Sequence, residues 1–103
     1  MQLTELHETA RELELEIKWL RAETRATRST VIAELKGLVV QQPLRERGYE
    51  LLIRALVAED RMPEAGAVFQ SAVRIFDEQA GSKPSARLAA ALESSDAGSV
   101  PSG

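Results

Sequence analysis

Residues 43–72, PLRERGYELLIRALVAEDRMPEAGAVFQSA, carry apolar side chains at helical spacing on both sides of a short polar break, with a proline at the start and small residues at Ala65 and Ala72. That pattern predicts two amphipathic helices joined by a tight turn. A helical hairpin of this size cannot bury its apolar side alone and must pack on a neighbour. The chain is thereby constrained to an all-α stack, which presents surfaces to other molecules more readily than it encloses a reaction cavity.

An internal period supports the stack. Setting Val31 against Ala65, an offset of 34 residues, brings Leu35 over Phe69 and Leu38 over Ala72, and this is the repeat length of tetratricopeptide hairpins. In the better copy Tyr49, Leu52, Leu56, Ala65, Phe69 and Ala72 stand at packing positions. The two alanines let the helices approach closely, while the larger side chains fill the space between them. Ile53 stands where a small residue is usual and Asp77 where a closing proline is usual, whereas Pro43 does close the first copy.

The 103 residues suffice for one small domain, expected over 1–93 with a disordered polar tail at 94–103. Aromatic residues are only 4% of the chain, so the core is expected to be aliphatic. No apolar run is long enough to cross a bilayer, and the N-terminal MQLTELHETARELELE is acidic and amphipathic, unlike a secretion signal. Cysteine is absent, which removes disulfides, thiolate nucleophiles and sulfur metal sites. These features point to the cytoplasm, with no membrane association. A net charge of −3 gives no overall attraction to nucleic acid.

About five helices are expected. In the first, Thr4 to Ala26 with Thr4 as its cap, Leu3, Leu6, Ala10, Leu13, Ile17 and Leu20 alternate steps of three and four and form one stripe. Packing of that stripe on the chain's own later helices is preferred over a dimeric coiled coil, because Ala10 is small and Thr24 and Thr27 interrupt the pattern. Trp19 is expected at the edge of the core. The second helix, Val31 to Val40, is capped by the hydroxyls of Thr27 to Thr30. The third spans Leu44 to Glu59. The fourth opens at Pro63 and stops near Gly81, and the last runs from Ser85 to Glu93.

Catalytic chemistry finds no footing. His7 has no second histidine or cysteine to complete a ligand set. The carboxylate pairs Glu59 with Asp60 and Asp77 with Glu78 fall at helix ends, and the scattered glycines form no phosphate-cradling loop. Gly66 is assigned to close helix packing beside Ala65. No cofactor or metal is expected. Two surfaces remain as candidates for binding. The outward positions of the third helix, Arg47, Glu50, Arg54, Val57 and Ala58, pair two arginines with a small apolar strip suited to an acidic amphipathic segment. Lys18, Arg21, Arg25 and Arg28 would align as a stripe of cations if the first helix persists that far.

In residues 17–92, Leu35, Leu38 and Val39 are followed by the PLRE of 43–46, the LLIRAL of 51–56, the turn DRMPEA of 60–65, an aromatic at Phe69 and the G-x-x-P of 81–84. In this order and spacing the chain resembles the bacterial transcriptional activation domain of the Streptomyces antibiotic regulatory protein family. The resemblance implies a tetratricopeptide-like domain that in the family lies behind a winged helix-turn-helix and takes part in dimerisation, regulation and contact with partner proteins. The DNA-reading part is missing from this chain, so no direct DNA contact is expected of it. Two functions stand: an interaction and regulatory domain of a transcription regulator, or a stand-alone helical adaptor or scaffold. The partner is another protein or a second copy, the latter through the first helix.

Overall fold

The computed structural model describes the backbone of residues 2–94 and the side chains of 6–94. Five helices follow one another: α1 Gln2–Arg21, α2 Arg25–Gln41, α3 Glu46–Ala58, α4 Met62–Ala80 and α5 Ala86–Leu92. No strand occurs among the described residues, so the expected all-α class holds. The expected tail falls, from residue 95 on, outside the described residues.

The organising element is α3. Its residues from Gly48 to Ile53 and from Ala55 to Val57 are all buried, as befits a helix enclosed on most sides. It touches each of the other four helices, whereas α2 and α4 do not touch each other and neither do α1 and α5. α1, α3 and α5 therefore line one side and α2 and α4 the other, giving two stacked hairpins closed by a fifth helix.

Leu15, Ile32, Leu35, Leu52, Ile53, Leu56 and Leu88 have the largest fully buried side chains. Ile53, unusual for the repeat, is thus simply part of this core. α4 contributes Ala65, Ala72 and Phe76, and the alanines allow the close approach expected of them. Tyr49 and Phe76 meet edge to face, with ring centroids 6.1 Å apart. The Tyr49 hydroxyl donates to the Pro43 carbonyl at 2.8 Å and ties the α2–α3 loop to the core. Trp19 and Phe69 are half-buried against the cluster. The 34-residue offset is visible in space, since Val31, Leu35 and Leu38 are buried on α2 and Ala65 and Ala72 on α4.

Several local expectations change. α1 is already helical at Gln2, so Thr4 lies within it, and it stops at Arg21. α2 begins at Arg25 rather than Val31 because Thr24 is its cap: Thr24 and Thr27 exchange side-chain and backbone hydrogen bonds at 3.1 Å in a reciprocal box. Two threonines three apart thus outcompete the hydroxyls at 27–30 as the start signal. Pro63 does sit in the first turn of α4, and Gly81 closes that helix in the left-handed conformation at φ 66°. Gly66 does not mark a close contact, for a Cβ there would meet nothing within 4 Å. The close approach is at Gly48, where a Cβ would lie 3.3 Å from Val39 Cγ1 and 3.4 Å from Leu38 Cδ2. Ser85 caps α5 and donates from its amide and its hydroxyl to the Glu46 carboxylate, joining α5 to the first turn of α3.

Candidate interaction surfaces

The acidic ridge of α1 faces the body of the domain. Glu12, only 5% exposed, accepts from Arg45 Nε at 2.7 Å and from Arg45 Nη2 at 2.9 Å. Glu8 is 3.1 Å from Arg45 Nη1, and Glu16 accepts from Arg47 Nη2 at 2.8 Å. Three glutamates four apart therefore dock on two arginines at the start of α3. Arg11 and Lys18 reach Glu34 of α2 at 3.7 and 3.3 Å. Leu15 supplies the one fully buried apolar side chain of α1, and Trp19 packs beside it.

The apolar stripe consequently faces away. Leu6, Leu13, Ile17 and Leu20 are 63%, 53%, 47% and 76% exposed, and Ala10 is exposed among them. The expectation that this stripe packs on the chain's own later helices is overturned. The reason is angular: Glu8, Glu12, Leu15 and Trp19 lie on the opposite side of the helix from the three-four seam, and a helix shows only one face to its body. Large apolar side chains placed contiguously in water mark a surface that another molecule covers.

On α3 the five singled-out positions separate. Glu50 and Val57 are buried, not outward. Arg47 is held between Glu16 and Glu50, and Arg54 reaches Glu50 at 3.1 Å. Burial of the Arg47 guanidinium works to lower its pKa, yet the hydrogen bonds from Glu16 and Glu50 outweigh it and the pKa is raised. Only Arg54 and Ala58 remain exposed. A helix that touches four others has no broad outward face, which the spacing of one hairpin does not reveal.

The four cations do not form one stripe. Lys18 and Arg21 end α1, while Arg25 and Arg28 open α2 beyond the break. Lys18 is engaged by Glu14 and Glu34, and Arg28 by Glu59 at 3.4 Å. A cleft of about 560 Å³ opens at this junction, lined by Lys18, Arg21, Thr24, Thr27 and Val31 among others. A second, of about 530 Å³, runs between α2 and α4 over Tyr49 and Leu52, with Val39, Val40, Val68 and Ile75 on its walls. Sequence reasoning did not anticipate either cleft; the exposed Val40 at the end of α2 is the one signal that pointed to the second.

His7 is exposed. No group of three or more histidine, cysteine or acidic side chains placed to hold a metal occurs among the described residues. No helix of the described residues is long and apolar enough to cross a membrane.

Stacked helical hairpins around one central helix, with a polar underside and an apolar outer side on the first helix, define a tetratricopeptide-like domain of regulatory type. Residues 1–94 match the family model of the bacterial transcriptional activator domain, and the chain belongs to that family. It is 35% identical over 85 residues to the regulatory protein AfsR of Streptomyces griseus, a match covering 82% of this chain and 8% of that protein. The chain therefore spans less than a tenth of the relative's length. No solved structure matches it.

Proposed function

We propose that residues 1–93 form a non-enzymatic interaction and regulatory domain that works in the cytoplasm with a bacterial transcription regulator and reads no DNA by itself. The family supports the regulatory setting. The observation that carries the reading is the outward apolar face of α1, because four large side chains left in water have no structural use within this domain. The partner is a protein, either another chain or a second copy. Arg54 and Ala58 on α3 offer a smaller neighbouring contact for an acidic segment, with Arg47 held behind them by Glu16. The acidic overall balance and the pairing of Lys18 and Arg28 with glutamates support the absence of DNA binding.

Fusing the domain behind a heterologous DNA-binding domain in a bacterial reporter strain tests this. Transcription is expected to respond to the fusion and to lose that response when Leu13→Glu places a charge on the α1 face. A response that the substitution leaves unchanged, or tight binding of the isolated domain to random duplex DNA at physiological salt, overturns the reading. A stand-alone adaptor role uses the same face and predicts no transcriptional response.

A further inference from the structure

The outward face of α1 has a size pattern that is its own complement. Along the seam the described side chains run Leu6, Ala10, Leu13, Ile17. If two such helices lie antiparallel about a two-fold axis between residues 11 and 12, Leu6 faces Ile17, Ala10 faces Leu13, and the same two layers repeat in reverse. The small side chain always meets a large one, so the seam fills evenly. A parallel, in-register pair instead stacks Ala10 on Ala10 and leaves a gap in its middle.

We infer that a second copy of this chain covers the outward face of α1, the two helices meeting as an antiparallel pair with Leu6 of one copy against Ile17 of the other and Ala10 against Leu13. This rests on the interaction-domain reading and names its partner. The residues flanking the seam agree with it. In that register the nearest flanking pairs set His7 beside Glu14 of the other copy and Thr9 beside Glu16, so no like charges are brought together. The polar underside agrees as well. Glu8, Glu12 and Glu16 are committed to Arg45 and Arg47 of their own copy, which turns each domain body away from the seam. Two isolated helices of this length would have to fold in order to pair, whereas α1 is already held by its own domain and loses little further order.

The dimer is expected to dissociate in the micromolar range, since a seam of a few layers lies at the small end of specific interfaces. Sedimentation equilibrium across that range should show monomer and dimer exchanging in the parent. Leu13→Glu and Ile17→Glu should each be monomeric at every concentration with unchanged helical circular dichroism, because both positions are already exposed in the single chain. The orientation is read by disulfide formation, which the cysteine-free chain makes unambiguous. Leu6→Cys mixed with Ile17→Cys should give a crosslinked heterodimer under mild oxidation, and Leu6→Cys alone should give none. A parent that stays monomeric through hundreds of micromolar overturns the inference, and a Leu6 to Leu6 crosslink between the single variants overturns the antiparallel pairing. A monomeric parent whose reporter response still depends on Leu13 leaves the interaction-domain reading standing with a different protein on that face, so the two failures are distinct.

Discussion

Glycine illustrates how residue identity acts through backbone rather than contacts. Gly66 lies inside α4 with open space around its missing Cβ, so Gly66→Ala is expected to stabilise the domain by about 0.5–1 kcal/mol, as helix interiors favour alanine. Gly81 also has open space, but its φ of 66° is a conformation that side chains resist. Gly81→Ala should therefore cost about 1 kcal/mol. Urea unfolding of the two variants beside the parent checks both signs, and equal shifts in one direction would contradict the assignment. Glu64 gives a further residue-scale outcome. Hydrogen bonds from Arg61 and then Lys36 hold its carboxyl down to about 2, against an ordinary 4.5. A carboxyl with a lowered folded-state pKa adds stability above its unfolded value, and that stability fades as pH falls from about 4.5 towards 2. Glu64→Gln should flatten this part of the acid limb by a small amount, because the group is solvated. An acid limb identical to the parent's would show that the clasp contributes nothing.

At the scale of elements, the hairpin α3–α4 and the repeat offset were legible because helical spacing, Pro63 and Gly81 are local signals. The orientation of α1 was not. Its apolar stripe is the stronger pattern in the sequence, yet the face that docks is chosen by Arg45 and Arg47, more than thirty residues away, which offer guanidinium groups to Glu8, Glu12 and Glu16. No local pattern contains that information. The same long-range enclosure hid the fate of Glu50 and Val57, which read as outward on a lone hairpin and are buried once α3 is surrounded. The α1–α2 break was misplaced for a smaller reason, since the reciprocal Thr24–Thr27 box looks like any other threonine pair until the backbone bends there.

A helix docked largely by ion pairs behaves differently from one docked by leucines. Glu12→Ala leaves Arg45 short of its closest carboxylate and is expected to cost about 1–3 kcal/mol. Raising salt from about 0.05 to about 1 M should speed amide hydrogen exchange in α1, whose more exposed pairs are screened. Exchange in α3 should hardly change, because its burial is apolar. Hydrogen exchange followed by mass spectrometry separates the two helices. Equal salt sensitivity in both would mean that α1 is held by the core rather than by its glutamates.

For the whole molecule, the account describes two hairpins and a closing helix that complete their own core and leave one helix turned outward for another protein. Its central claim is the direction in which α1 faces. The direct measurement is native-state thiol labelling of Leu13→Cys and Leu15→Cys in this otherwise cysteine-free chain, at a dilution where the domain is monomeric. Leu13 is half exposed and Leu15 fully buried. The thiol at 13 should react nearly as fast as one in an unfolded peptide, while that at 15 is protected by orders of magnitude. A protected thiol at 13 with a reactive one at 15 would mean that the apolar stripe packs inward and that the proposed interaction face does not exist.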